Sequence, residues 1–329
     1  MDKKSKKQRK ILVTGGAGFI GSHLIEKLLA DPANLIYALD DLSTGRKSNI
    51  KPFLTNKNFK FIKGSILDKK VFKSLPKPDW IFHLAAAVGA RLVVEKPLDS
   101  FRTNIIGTEN VLEFALKSKS KILIASSSET YGKNTKIPFK ETDDRIYGSV
   151  YNPRWGYAFS KSCDELMAIF YQKELGLKSI VVRLFNTVGP RQVGDYGMVI
   201  PTLTKQAIKS EPVTIYGNGK QIRSFTYVGD VVGAFVKLMK KPEAVGKIIN
   251  IGSENSVTIK ELGERIIELT KSTSKIKFIP YTVAYSSDFE EMMKRKPDIS
   301  EARKLINFKP LVNLDGILKL VIADIKKHS

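Results

Sequence analysis

Residues 13–21 read Val13-Thr14-Gly15-Gly16-Ala17-Gly18-Phe19-Ile20-Gly21, directly after the apolar run Lys10–Val13 and at the head of an amphipathic stretch, Gly21–Ala30. A strand, a glycine-rich turn and a helix in that order form a cradle for a nucleotide phosphate. Gly15 permits a tight turn, Gly18 lets backbone approach a pyrophosphate, and Gly21 allows close helix–strand packing. The spacing is G-x-x-G-x-x-G rather than the dehydrogenase G-x-G-x-x-G. Asp40 ends the next strand candidate, about twenty residues on, where a carboxylate accepts hydrogen bonds from the adenosine ribose and repels a 2′-phosphate. NAD is therefore expected over NADP, with Arg46 the nearby residue that would serve a phosphate instead.

Outward from this loop the alternation continues. Strand-like runs fall at Lys10–Val13, Leu35–Leu39, Phe59–Ile62, Trp80–Leu84, Lys121–Ala125 and Ser179–Leu184, with amphipathic stretches at Gly21–Ala30, Pro97–Lys117 and Tyr157–Leu175. Strands joined by helices build a parallel sheet covered on both faces, which binds ligands beyond the carboxyl ends of its strands. The expected fold is α/β, a Rossmann-type doubly wound parallel sheet with a smaller mixed α/β substrate domain. After about residue 186, Pro190, Pro201, Pro212 and the turn at Gly217–Gly219 break the chain into shorter pieces. The expected boundaries are a basic tail at 1–10, an NAD-binding domain at 11–185 plus about 222–250, and a substrate domain at 186–221 and 251–329.

Composition narrows the function classes. Of 329 residues, 42% are hydrophobic and 27% charged, ordinary globular figures that exclude wholesale disorder. Cys163 is the only cysteine, so no intrachain disulfide forms, and the scattered His23, His83 and His328 make a poor metal set. No metal is expected. No apolar run approaches the roughly 18–20 residues that span a bilayer. The tail Met1–Lys10 carries six basic residues but no apolar h-region or cleavage site, so a cytoplasmic protein with no membrane partner is expected. The net charge of +22 fits either a nucleic-acid binder or a Lys-rich enzyme surface. No aromatic-interleaved basic patch accompanies it, so no nucleic-acid partner is expected.

Two further segments carry chemistry. Tyr157-Ala158-Phe159-Ser160-Lys161 puts a phenol and an ammonium on one face of a helix. A nearby cation lowers a tyrosine's pKa, so Tyr157 is expected to act as a phenolate base. Ser126-Ser127-Ser128-Glu129 follows the strand Lys121–Ala125, at a carboxyl edge where a cofactor's reactive end lies. A serine hydroxyl there can hydrogen-bond the reacting oxygen.

With these pieces in place the chain resembles the extended short-chain dehydrogenase/reductase family of nucleotide-sugar epimerases, dehydratases and decarboxylases. The matching segments are TGGAGFIG (14–21), LDDLSTG (39–45), HLAAAVG (83–89), NIIGTEN from Asn104, SSSETYG (126–132), YAFSK (157–161), RLFNTVGPRQ (183–192), IYGNGKQIRSFTYVGDV (215–231) and RKPDISEARKL (295–305). The resemblance implies a catalytic set of Ser127, Ser128, Glu129, Tyr157 and Lys161. It implies that Gly15, Gly18, Phe19, Ile20 and Gly21 line the NAD pyrophosphate, Asp40 the ribose, Leu84, Ala85 and Ala86 the cofactor's centre, and Asn104 its nicotinamide half. Where many relatives read G-D-I at the adenine, this chain has Gly64-Ser65-Ile66, so Ser65 and Ile66 take that place. Asn186 and Arg223 are implied at the sugar-nucleotide diphosphate, Tyr216 over the base, and Val199, Arg295 and Asp298 on the substrate side.

The resemblance also implies a shared first step, oxidation at sugar C4 to a 4-keto intermediate. Epimerisation of a UDP-hexose or UDP-hexuronate ranks first, because Gly89-Ala90-Arg91 and Tyr196-Gly197-Met198-Val199-Ile200-Pro201 resemble hexose and hexuronate 4-epimerases. Decarboxylation of UDP-glucuronate and 4,6-dehydration are the alternatives, both consistent with an acid at Glu129. A non-catalytic NAD(P)- or RNA-binding relative is the alternative from another class, and the presence of both Tyr157 and Lys161 argues against it. The resemblance further implies a homodimer that pairs the helices around 97–117 and 157–175, with Phe159, Cys163, Leu166, Met167 and Phe170 as apolar candidates. Beyond Lys161, Arg223 and Arg295, the excess positive charge reads as a solvated Lys-rich surface.

Overall fold

The apolar run ahead of the glycine loop becomes the centre of a sheet. In a computed structural model, which describes residues 8–89, 95–152, 154–194, 197–284 and 290–328, seven parallel strands form it. They are β1 (Arg9–Thr14), β2 (Asn34–Asp40), β3 (Phe59–Lys63), β4 (Trp80–His83), β5 (Lys121–Ser127), β6 (Ser179–Leu184) and the late strand Ile248–Ile251. The expectations placed on Ala90, Arg91, Tyr196 and residues 1–7 of the tail lie outside the described residues.

The sheet order is Ile248–Ile251, β6, β5, β4, β1, β2, β3. β1 pairs with β2 through Leu12↔Tyr37 and with β4 through Leu12↔Ile81, so successive connections leave β1 in opposite directions. A crevice opens at such a reversal, beyond the carboxyl ends of the strands. Both faces are covered, as the near-continuous apolar strands require. On one face, Leu24, Ile25 and Leu28 of helix Phe19–Leu29 share a core with Val231 and Phe235 of helix Val228–Met239. On the other, Val111, Leu112 and Ala115 of helix Pro97–Ser118 share a core with Ala168 of helix Arg154–Leu175. No described helix is long and apolar enough to cross a membrane.

The rest of the chain forms short sheets around a third core. Strands Ile222–Ser224, Ser256–Thr258 and Lys294–Arg295 make one sheet, and Val213–Tyr216 pairs with Ile276–Ile279. Helices Val199–Ile208, Ile259–Thr270 and Leu314–His328 pack beside them through Leu203, Ile266 and Val321.

Two expected boundaries need correction. Residues 222–227 pair with the smaller sheets, so the chain returns to the large sheet only at helix Val228–Met239. Within 251–329, Ile299, Ala302, Ile306 and Phe308 pack into the first core, not the third. Both crossings follow burial of apolar faces, which no local composition change marks. The reactive helix also starts earlier than expected, at Arg154, because the Asn152 side chain accepts the Arg154 backbone N–H at 3.1 Å.

The glycine loop tolerates no side chain at its tightest point: a Cβ on Gly21 would overlap the Gly15 carbonyl oxygen, a backbone atom. Gly21→Ala is therefore expected to cost about 1–3 kcal/mol in urea unfolding, and to weaken NAD binding measured by calorimetry.

Candidate active site

The loop after β1 is shaped by its neighbours. Gly15 adopts φ +70°, and a Cβ there would lie 2.8 Å from the Ala85 backbone nitrogen, so the loops after β1 and β4 close on one another. Thr14 joins them, its hydroxyl accepting the backbone N–H groups of Leu84 and Ala85, each at 3.2 Å. Gly18 caps helix Phe19–Leu29 with no side-chain partner, and no acidic residue occupies the first turn. Helix N–H groups left without side-chain partners beside a glycine cradle suit a pyrophosphate. The Asp40 carboxylate accepts from Ala17 N at 2.9 Å and Leu42 N at 2.8 Å. Burial pushes its pKa up, against these two bonds.

The serine turn is held from beneath. Ser126, within β5, donates to Glu165 at 2.5 Å. Glu165 is fully buried and also accepts from Arg183 Nε and Nη2 at 2.9 and 2.8 Å and from Arg145 Nη2 at 2.6 Å. One carboxylate thus ties β5, β6, helix Arg154–Leu175 and the preceding loop. Ser127 accepts the Glu129 backbone N–H at 3.2 Å, and its hydroxyl faces the Tyr157 phenol and pulls that group's pKa down, against burial. Ser128 is buried in the turn.

Glu129 sits between two arginines, in a short contact with Arg154 Nη1 and 3.2 Å from Arg295 Nη1. Burial alone would raise its pKa, but Arg154 and Arg295 outweigh it and hold the carboxyl at about 2. Glu291 in turn accepts from Arg223 Nη2 at 2.8 Å. Burial, and then Arg295, push Arg223 down to about 10.

Tyr157 differs from the sequence expectation. Burial raises its pKa, and the Glu129 carboxylate raises it further, against the Ser127 hydroxyl. The Lys161 ammonium, expected to act on the phenol, instead donates to Asp164 Oδ2 at 2.8 Å. The physical reason is burial first, with the carboxylates of Glu129 and Asp164 adding to it.

A cleft of about 880 Å³ gathers most of the expected residues. Its walls include Phe19, Ile20, Leu84, Ala86, Ser127, Ser128, Glu129, Tyr157, Lys161, Asn186, Val199, Tyr216, Arg223 and Arg295. Asn186 is fixed by donating to the Ser224 carbonyl at 2.9 Å. Gly15, Gly18, Gly21, Asp40 and Ala85 are not among the lining residues; Gly15 meets the Ala85 backbone and Gly21 the Gly15 carbonyl. Nor is Asn104, which bridges the Ala87 backbone and the Ser160 hydroxyl. Ile66 is core, packed against Gly107, and Ser65 caps its own turn through Leu67 N at 3.3 Å. Asp298 accepts Ser300 N at 2.8 Å at the start of a helix, away from the cleft. Sequence reasoning missed Arg154, Asp164 and Glu291. Arg154 is detectable, lying three residues before Tyr157 and so near its helical face. Glu291 meets Arg223 only across the tertiary fold.

The NAD dependent epimerase/dehydratase family model matches residues 11–252. The chain is 42% identical to the UDP-N-acetyl-alpha-D-glucosaminuronate decarboxylase of Bacillus cytotoxicus over 319 residues, 96% of this chain and 97% of that protein. It is 36% identical to UDP-glucuronic acid decarboxylase 1 of Arabidopsis thaliana over 326 residues, 98% of this chain and 71% of that one. Among solved structures it resembles the UDP-glucuronic acid 4-epimerase of Bacillus cereus in complex with UDP-glucuronic acid and NAD. That match has a TM-score of 0.88 at 30% identity and covers 97% of this chain and 100% of that one. Loop, serine turn, tyrosine and lysine stand together on this sheet, and the chain belongs to the NAD-dependent epimerase/dehydratase family, with NAD as its cofactor.

Proposed function

We propose that this protein decarboxylates a UDP-linked hexuronic acid through a transient 4-keto sugar. The observation that carries the reading is the cationic floor of the cleft. Arg154 and Arg295 flank ionised Glu129, and Arg295 Nε is a buried donor with no hydrogen-bond partner among the described residues. A buried unpaired donor costs free energy that an anionic ligand recovers, which suits a sugar carboxylate. The names of the relatives at 42% and 36% identity, both decarboxylases of UDP-hexuronates, support the same order. Epimerisation, ranked first on sequence, thus becomes the second reading, favoured by the likeness to the Bacillus cereus 4-epimerase.

When bound, NAD supplies a reversible hydride acceptor for sugar C4. Gly15, Gly18 and Gly21 with Phe19 and Ile20 would hold its pyrophosphate, and Asp40 its ribose. Tyr157 takes the O4 proton while Ser127 steadies that oxygen. The product is a β-keto acid, so the C5–C6 bond breaks with its electron pair passing into the C4 carbonyl as an enolate, and the carboxylate leaves as CO2. A proton from solvent replaces it at C5, and Tyr157 returns its proton to O4 as the ketone is reduced. Glu129, held near 2, stays ionised at neutral pH. It therefore fixes the two arginines rather than donating a proton. Arg223 and Asn186 hold the diphosphate.

The test is product analysis with NAD and UDP-glucuronate or its 2-acetamido analogue. The expected outcome is one CO2 per UDP-pentose formed, with a single solvent deuterium at C5 when the reaction runs in D2O. Formation of the 4-epimer without CO2 overturns the decarboxylase reading in favour of the second.

The arginine cage has a pH signature. Because the folded pKa of Glu129 is about 2 against an ordinary 4.5, its contribution to stability is full above about 4.5 and fades as pH falls toward 2. In urea unfolding, the stability gap between wild type and Glu129→Gln should accordingly be widest near neutrality and close at low pH. A gap independent of pH would contradict the cage.

The chain is also proposed to form a homodimer through helices Pro97–Ser118 and Arg154–Leu175. Phe159, Leu166 and Phe170 are exposed there, and Phe159 stacks on Phe101 with centroids 6.4 Å apart. Met167 instead packs on its own core and Cys163 is half-buried, so neither adds to that face. Phe170→Lys should halve the mass seen by light scattering. A monomeric wild type would remove this proposal.

A further inference from the structure

The reaction just described makes no use of Asp164, yet this acid is buried against the catalytic lysine. It lies on helix Arg154–Leu175 three residues after Lys161, whose ammonium donates to its Oδ2 at 2.8 Å. Asp164 is 0% exposed and Lys161 2%. The second oxygen, Oδ1, has no hydrogen-bond partner among the described residues. A carboxylate held in this way is costly to bury, and the ion pair with Lys161 is its direct compensation.

Among the described residues no other cation contacts Asp164. From β4, His83 faces the pair, its ring hydrogen-bonded to Thr14 at 2.7 Å and to Thr108 at 3.0 Å. Burial, and then Lys161, push that imidazole down to about 3, so it is neutral. Thr108 comes from helix Pro97–Ser118, and Glu165 and Cys163 flank Asp164 on its own helix. Glu129 and Arg295 face Tyr157 from the cleft side.

We propose that Asp164 is a positioning residue that sets the basicity of Tyr157: by neutralising Lys161, it withholds the ammonium's field from the phenolate and keeps the phenol protonated until the cleft is filled. The proposal rests on the reading of Tyr157 as the proton acceptor. A contacting pair of opposite charges acts on a third group as a dipole, far more weakly than the lysine alone. The raised pKa of Tyr157 agrees: burial and Glu129 push it up first, and Asp164 pushes in the same direction. The Y-x-x-x-K spacing supplies a cation beside the base, and an acid three residues further on cancels most of it.

Asp164→Asn keeps the shape and an acceptor for Lys161 while removing the charge. In the NAD-loaded enzyme the acid limb of kcat/KM, where activity rises as the base loses its proton, should move to lower pH by about one unit or more. In the protein without cofactor, the 13Cζ resonance of Tyr157, assigned by its loss in Tyr157→Phe, should titrate at correspondingly lower pH. Asp164→Glu restores the charge and should return the limb toward its wild-type position. An unmoved limb and resonance in a folded Asn variant overturn the proposal. So does an equal fall in kcat in both variants with no shift along the pH axis, the mark of a structural role.

Should the Asn variant not fold, the wild-type chain carries the test. Acidification through the titration of Asp164, followed by its own 13Cγ resonance, must move the Tyr157 signal with it, and a signal blind to that titration overturns the proposal. Failure of the underlying reading is distinct: it would appear as turnover retained in Tyr157→Phe.

Discussion

A carboxylate withdrawn from most of the solvent stays ionised only with cations close by, and Glu129 is half-buried in the wall of the cleft and ionised. Its partners come from two parts of the chain: Arg154 from the helix that carries Tyr157, Arg295 from the small sheet on the opposite side of the cleft. The pairing therefore does more than neutralise a charge. It joins the floor of the large sheet to the wall that closes over it, at the level of the reacting groups. Arg223 and Glu291 extend the same joint, so that charges alternate across the cleft. Any anionic ligand entering here meets arginines already oriented by carboxylates, with little side-chain freedom left to lose.

Beneath this lies a second carboxylate with a purely internal role. Glu165 binds Ser126, Arg183 and Arg145 and so fixes the end of β5 against β6 and the reactive helix. Tyr131, which closes the serine turn, packs under the Arg183 guanidinium at 4.6 Å and donates to Asn250 at 2.8 Å. The hydroxyls and carboxylate that line the cleft stand on a buried polar network. Such a network rigidifies when its members are satisfied.

Much of this was legible in the chain. The alternation of apolar runs and amphipathic stretches predicts β1 to β6 to within two residues at either end, because strands buried on both faces must be apolar throughout. The glycine loop, Asp40, the serine turn and the Tyr157–Lys161 pair are local features, each readable from residue type and spacing. A return of about 222–250 to the first domain is expected from the sequence, but no strand is assigned within it, and the return of Ile299–Phe308 to the first core is not expected at all. A short apolar run looks the same whichever core it joins.

The sequence by itself determined the class of fold and the glycine loop, and pointed to Tyr157 as the proposed proton-transfer group, since these depend on backbone conformation and on neighbours within one or two turns. Only the tertiary structure decided the electrostatic state of that group. Burial raises its pKa first, the Glu129 carboxylate from the turn after β5 and the Asp164 carboxylate from its own helix raise it further, and the Arg295 guanidinium from the small sheet opposes them. Charge acts through space, and spatial neighbours are settled by packing rather than by spacing along the chain.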